Sequence, residues 1–338
     1  MFLKKSLLFS ILILVLGQSY AQISDFESIN FTRADNRAVL HEGRSLENLP
    51  VLAHDLTFNL DTEVEKFRAI YRWVCHNISG DIRQNNITSR KREKYRNDSI
   101  AYLKWNAEYK RIAFKTLLRR KKTMCTGYAY LIKELCFLAN IEAVIVDGYG
   151  RTVASNVEAL DMTNHSWNAV KLNDKWYLCD ATWSSGYMVN DALFINDYNA
   201  GYFLAEPKLF AKNHYPIQKK WLLNAILSAS EFVESPLIYG ATFEHQIIPV
   251  SPTRLTTNTG TDTEVHFSFK TLEQVDGESI QLIQSSGSRE KAFKIEGFKN
   301  ENGTVRFTTK FRHKGTYDVH LKIGSDVVAS YTIRVDKV

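Results

Sequence analysis

Three residues in this chain have the types and settings for nucleophilic chemistry: Cys125, His165 and Asp180. Cys125 lies in Thr123-Met124-Cys125-Thr126-Gly127-Tyr128-Ala129, where a helical apolar pattern begins. At a helix start, unpaired backbone N–H groups and the macrodipole favour a thiolate, and the same groups can bind an oxyanion. His165 opens the strand-like run His165-Ser166-Trp167-Asn168-Ala169-Val170. Asp180 closes a second run within Trp176-Tyr177-Leu178-Cys179-Asp180-Ala181-Thr182-Trp183. A thiolate, an imidazole base and a carboxylate that orients the imidazole make a thiol acyl-transfer triad. Any one of them alone is more often structural. Their coincidence points to catalysis.

The elements around them carry a geometric test. Asn173-Asp174 separates the two strand patterns, His165–Leu172 and Lys175–Asp180, as a two-residue hairpin loop. Leu172 then pairs with Lys175, and counting outward sets Trp167 opposite Asp180. His165 shares the face of Trp167, so it is a diagonal neighbour of Asp180 at roughly 7–8 Å between backbones. A slip of one residue would send the two to opposite faces. The cysteine helix is predicted over Cys125 to Ala139 with Thr123 as its cap, followed by a strand over Glu142 to Tyr149 and a loop from Arg151 to Asn164. Upstream, Val64, Phe67, Ile70, Tyr71 and Val74 have helical spacing behind Asp61 or Thr62 as cap, and there are helical hints near Asp35 to Leu40. Phe194 to Leu223 holds scattered aromatics without a clear period and is expected to wrap the core.

Composition sets further bounds. The 338 residues suffice for about two domains, and 44% hydrophobic with 24% charged residues is ordinary for a globular chain. Lys4 and Lys5, an apolar stretch from Ser6 to Gly17 and the small residues of Ser19-Tyr20-Ala21 read as a signal peptide over residues 1–21. A secreted or periplasmic protein with no transmembrane segment after cleavage follows from that reading. The four cysteines, Cys75, Cys125, Cys136 and Cys179, include no C-x-x-C pair and lack a histidine cluster, so neither a structural zinc nor any other metal or cofactor is expected. Cys75, Cys136 and Cys179 are expected to be buried hydrophobes, with disulfide pairing as the alternative in an exported chain. Residues 89–122 hold 13 Lys or Arg against 3 acids. That is either a solvated helix face or an electropositive rim for an acidic substrate or a cell-envelope polymer, and no nucleic-acid motif accompanies it.

After Ser235-Pro236 the pattern changes to short alternating strands: 264–270, 279–284, 292–296, 304–310, 316–323 and 327–335. The expected organisation is a catalytic domain over 22–238 and an immunoglobulin-like β-sandwich over 239–338. It lacks the Cys…Trp…Cys arrangement of antibody domains.

The three blocks around Cys125, His165 and Asp180, with the upstream string Tyr71-Arg72-Trp73-Val74-Cys75-His76-Asn77-Ile78, resemble the transglutaminase-like superfamily over roughly residues 50–225. Phe203-Leu204-Ala205-Glu206-Pro207 and His214-Tyr215-Pro216 resemble a segment of a kyphoscoliosis-peptidase-like branch. The resemblance implies an α+β, papain-like fold, with the cysteine helix packed on an antiparallel sheet, and a Cys-His-Asp triad falling on Cys125, His165 and Asp180. Met124 and Thr126 depart from the family pattern, which bears on pocket and oxyanion geometry.

The expected activity is therefore thioester-forming acyl transfer on a protein, peptide or carboxamide. Hydrolysis by a protease or amidase is favoured over transglutaminase crosslinking, because no dedicated amine site and no calcium motif is evident. A non-catalytic protein- or glycan-binding module, and a basic surface binder acting through residues 89–122, are the competing classes.

Overall fold

The computed structural model describes residues 23–190, 192–271, 275–286 and 289–337. The signal-peptide reading of residues 1–21 lies outside them. The chain is α+β: helices and a central antiparallel sheet first, then two further sheets. Helices α1 (Thr32–Leu40), α2 (Leu49–Thr57) and α3 (Glu63–Asn77) form a layer. Helix α3 begins with a reciprocal cap, in which the Thr62 hydroxyl accepts from the Glu65 N–H and the Glu65 carboxylate accepts from the Thr62 N–H. Asp35 on α1 accepts from Arg68 at 2.7 Å and from Arg72 at 2.9 Å on α3, which ties the two helices together.

A parallel pair of two-residue strands, β1 (Ser79–Gly80) and β2 (Lys122–Thr123), launches two helices side by side. From β1 comes α4 (Ile82–Lys94), followed by α5 (Ser99–Arg120), so the basic segment is a helical hairpin. From β2 comes α6 (Cys125–Leu138), the cysteine helix. Gly127 in its first turn is required by packing, since a Cβ there would collide with the Thr123 side chain.

Helix α6 packs on a four-stranded antiparallel sheet of β3 (Ala143–Gly150), β4 (His165–Leu172), β5 (Lys175–Cys179) and β8 (His214–Pro216), in the order β5-β4-β3-β8. The β4–β5 register pairs Leu172 with Lys175 and Asn168 with Cys179, as the loop pair Asn173-Asp174 predicts. Both loop residues take positive φ, 49° and 63°, the backbone of a type I′ turn whose twist matches the strands. Along β4, Val170 and Leu172 join the core beneath the helices, while Trp167 and Ala169 join the core on the opposite face. Between β5 and β8 the chain forms α7 (Ala181–Ser185), the hairpin β6 (Gly186–Val189) and β7 (Leu193–Asn196), and α8 (Pro207–Phe210). Residues 194–223 thus do wrap the core, but they also supply β8, a sheet strand too short for any sequence period to reveal.

The remaining chain carries α9 (Ala229–Glu234), β9 (Leu237–Ile238), α10 (Gly240–Glu244), β10 (Ile247–Ser251), β11 (Thr256–Gly260), β12 (Glu264–Thr271), β13 (Ile280–Ser286), β14 (Arg289–Phe293), β15 (Glu296–Glu301), β16 (Thr304–Lys310), β17 (Gly315–Ile323) and β18 (Asp326–Asp336). One sheet runs β10-β12-β16-β15; the other runs β11-β18-β17-β13-β14, with β9 also pairing to β18. Their facing residues, including Phe267, Phe307 and Tyr331, share one core, so the region is a β-sandwich. The strand expected over 292–296 is a correction: β14 ends at Phe293 in one sheet and β15 begins at Glu296 in the other. The same core reaches Trp167, Leu178, Tyr202 and Phe210 behind the β5-β4-β3-β8 sheet.

Candidate active site

Cys125 is the first residue of α6, and its position explains its chemistry. The N-cap residue is Met124, which makes no side-chain capping bond, so the expected cap at Thr123 is corrected to one residue later and to a side chain that cannot accept. Intrahelical bonding starts with the Gly127 N–H donating to the Met124 carbonyl at 2.9 Å. The N–H groups of Cys125 and Thr126 therefore have no helical acceptor and face the site unconsumed by a cap.

His165 and Asp180 meet as the register requires. His165 Nε2 lies 2.7 Å from Asp180 Oδ2, which leaves Nδ1 for the Cys125 thiol, and thiol and imidazole are close enough to shift each other's proton affinity. Asp180 follows the last residue of β5 and caps α7: its Oδ1 accepts from the N–H groups of Thr182 at 2.8 Å and Trp183 at 3.3 Å. One carboxylate oxygen is thus fixed by a helix start while the other addresses the histidine. The indole of Trp183 stacks on His165, with ring centroids 4.7 Å apart at 24°. On the opposite flank Thr126 Oγ1 lies 3.5 Å from Ser166 Oγ, which donates to Asp147 at 2.7 Å.

The electrostatics follow from burial set against these partners. Asp180 and His165 are 0% and 8% exposed, so both would lose charge if isolated. Burial raises the Asp180 carboxyl, but the two histidines beside it win and hold it well below the usual carboxylate range. Burial lowers His165, but the charge and hydrogen bond of Asp180 outweigh it and push the imidazole up to about 10. Burial raises Cys125, yet the hydrogen bond and charge of His165, the Ser166 backbone N–H and Arg92 together bring the thiol below its ordinary value. The other three cysteines behave oppositely. Cys75, Cys136 and Cys179 are free and buried, and burial pushes their thiols far up. They are the small hydrophobes expected of them, and the disulfide alternative does not occur.

A fourth group was not singled out as a site residue. His214 on β8, 1% exposed, lies with Nε2 3.1 Å from the same Asp180 Oδ2. Its ring stacks on Phe210 at 3.8 Å and packs against Trp183 at 4.5 Å. In sequence it stood only within the tail string His214-Tyr215-Pro216, and its pairing with a strand 64 positions earlier, Gly150 opposite His214, is a tertiary fact. The donor atoms of His165, Asp180 and His214 lie within 4.8 Å of one another, a spacing that could hold a cation. Their hydrogen bonds to each other already occupy the donor atoms such an ion would need.

With a cysteine at an open helix start, an imidazole bridging it to a buried carboxylate, and the helix packed on an antiparallel sheet, comparison with known proteins has a specific meaning. Residues 50–181 match the family described as transglutaminase-like superfamily. This segment is a transglutaminase-like domain. Human kyphoscoliosis peptidase is 35% identical over 180 residues, covering 52% of this chain and 24% of the relative. Hillarin of Drosophila melanogaster is 24% identical over 235 residues, covering 65% of this chain and 26% of its own. The transglutaminase-like domain sides with the kyphoscoliosis-peptidase-like branch, while the chain spans only about a quarter of the length of these relatives. A solved structure described as a TGase aligns with 47% of this chain and 36% of its own at 17% identity and a TM-score of 0.27, too partial to carry weight.

Proposed function

We propose that the chain is a thiol acyl-transfer enzyme in which Cys125 is the nucleophile, His165 the general base and acid, and Asp180 the orienting carboxylate. The observation that carries this reading is geometric: Cys125 opens α6 without a side-chain cap and His165 lies 2.7 Å from the buried Asp180, and the lowered thiol beside the raised imidazole favours a thiolate–imidazolium pair. The thiolate attacks a carboxamide or peptide carbonyl, and the N–H groups at the start of α6 face the developing oxyanion. Imidazolium then protonates the departing amine, leaving a thioester. Water, activated by the now neutral His165, hydrolyses it and returns the proton to the ring.

Hydrolysis of a peptide or amide is the outcome we favour, in keeping with the peptidase names of the relatives. The basic hairpin α4–α5 favours acidic peptide substrates. Among the described residues its 89–122 stretch forms a single ion pair, Arg96 with Glu93, leaving most of its charge unneutralised. Arg92 lies close enough to favour the Cys125 thiolate. We further propose that the chain is exported by its first 21 residues and works in the envelope or outside the cell, with residues 22–238 as the catalytic unit and 239–338 as an accessory sandwich.

The test compares the chain from residue 22 with Cys125→Ala on an acidic peptide library, with and without an added primary amine. Cleavage that needs Cys125 supports the proposal, and amine-dependent crosslinking would move it to transamidation. No Cys125-dependent reaction, together with no labelling of Cys125 by iodoacetamide at neutral pH, refutes it.

A further inference from the structure

The triad accounts for three of the four side chains in this cluster, and the fourth, His214, poses a problem of proton counting. Asp180 Oδ2 is shared by two histidines, His165 at 2.7 Å and His214 at 3.1 Å. An ionised carboxylate only accepts, so each histidine must present an N–H to it. For His165 that N–H belongs to an imidazolium. For His214 a second imidazolium would lie beside the first, with ring centroids 5.3 Å apart, in a site closed to water.

Four influences act on the proton of the His214 ring. Asp180 and the Phe210 backbone carbonyl favour its protonation; burial and the charge on His165 oppose it. Burial is the largest influence, and the imidazole is held down to about 4. The remaining titratable neighbour, Tyr202, meets the ring edge-on, with centroids 6.2 Å apart. A neutral ring that must donate to Asp180 carries its proton on Nε2, which leaves Nδ1 as an acceptor. The atom nearest Nδ1 is Asn213 Oδ1, at 2.7 Å. The Nε2–H tautomer therefore requires the Asn213 amide to be turned over, so that its N–H2 faces the ring; heavy-atom positions do not distinguish the two orientations.

We propose that His214 is a positioning residue: a neutral imidazole, donating from Nε2 to Asp180 Oδ2, that limits how tightly this carboxylate holds the proton on His165. The physical reason is competition for one oxygen. A donor to Asp180 stabilises the carboxylate and spreads its charge, so less of that charge binds the imidazolium. Without the donor, His165 keeps its proton to higher pH and gives it up less readily to a leaving group. His214 thus tempers a general acid that a lone buried aspartate would make too weak. Its place between Phe210 and Trp183 holds the ring to this task, and the turned Asn213 amide matches the tautomer.

The inference rests on the acyl-transfer reading only in taking Cys125 and His165 as the working pair, and its tests need no substrate. Histidine-selective nitrogen NMR on the wild-type chain at neutral pH is expected to show His214 protonated at Nε2 and bare at Nδ1. An imidazolium or an Nδ1–H tautomer overturns the proposal, whether or not Cys125 reacts. The second test is the pH profile of Cys125 alkylation by iodoacetamide, whose upper limb reports deprotonation of His165. His214→Phe keeps the stacking and removes the donor, and its upper limb is expected to move up by about one pH unit, the size of losing one hydrogen bond to a charged group. His214→Gln places an N–H2 where Nε2 was and is expected to keep the wild-type limb. A merely structural role predicts unchanged limbs in any variant that folds. Coincident wild-type and His214→Phe profiles, or a His214→Gln profile that shifts like His214→Phe, overturn the proposal. A wild-type Cys125 inert at every pH, with His214 in the stated tautomer, instead overturns the acyl-transfer reading and leaves this one standing.

Discussion

Replacing Asp180 by Asn removes one charge and little else. The Asn side-chain oxygen can still accept from the Thr182 and Trp183 N–H groups, so the start of α7 keeps its cap. The amide nitrogen then faces His165 Nε2 as a donor where the carboxylate had been an acceptor. The ring's proton is driven to Nδ1, the nitrogen that faces Cys125, and a ring protonated there cannot take the thiol proton. The magnitude follows from the shift. Asp180 is the larger of two groups that lift His165 to about 10, the Cys125 thiol being the other, and burial alone would leave the imidazole below its ordinary 6.5. The rise from 6.5 to about 10 is about 5 kcal/mol at roughly 1.4 kcal/mol per pH unit, of which Asp180 supplies the larger share. With a neutral imidazole, the half-buried thiol loses the partner that lowers it. Alkylation of Cys125 by iodoacetamide at pH 7 should therefore fall by about 100- to 1,000-fold, with the rate recovering only in the alkaline range of an ordinary or raised thiol. A folded Asp180→Asn protein whose alkylation profile overlays the wild type would refute the assignment of Asp180 as the source of the ion pair.

Four further outcomes follow. His214 is neutral in the fold down to about 4, while an unfolded histidine binds a proton below 6.5, so stability should fall as pH drops from 6.5 towards 4, by up to about 3 kcal/mol. Between 6.5 and 9 this site should add little slope, since the folded thiolate–imidazolium pair carries as many protons as the unfolded neutral pair; urea titrations at pH 4.5, 6.5 and 8.5 check both, and a flat acid limb contradicts the first. Arg151 is 2% exposed and donates to the carbonyls of Asn156, Val233 and Pro236 and to Ser235 Oγ, so Arg151→Met should cost about 3 kcal/mol by stranding these acceptors, and a loss under 0.5 kcal/mol in urea unfolding would count against that role. Gly127→Ala should destabilise by about 1–3 kcal/mol, and the added change Thr123→Ala should recover much of it; equal melting of the single and double variants would show that their contact is not the cause. Arg92→Glu should lower kcat/KM on acidic peptides more than on neutral ones, an effect that shrinks with added salt, and equal losses on both would remove Arg92 from substrate selection.

Much of this site was legible before any coordinates, because local rules wrote it. The Asn173-Asp174 turn fixes a register in which His165 and Asp180 must meet, and a side-chain period of two leaves no freedom in which face they share. The apolar pattern after Cys125 sets a helix start under the sulfur, and the alternation after residue 260 declares strands. Two local expectations failed for local reasons. The pattern at residues 292–296 reads as one strand because apolar residues continue across the point where the chain changes sheets. Thr123 has the residue type of a cap, but as part of β2 it pairs with Gly80 of β1 instead.

What the sequence determined about this protein is therefore the helix start at Cys125 and the pairing of His165 with Asp180, both set by patterns close along the chain. The tertiary structure alone decided that α4 and α5 form a basic hairpin beside Cys125, that the sandwich core continues behind the β5-β4-β3-β8 sheet, and that His214 closes on Asp180. Those depend on segments tens of residues apart coming together to bury apolar surface, and no local period encodes which distant strand will be the neighbour. The carboxylate at the centre of the site shows both kinds of cause. Its partner 15 residues away was readable from a turn, and its partner 34 residues away only from the fold.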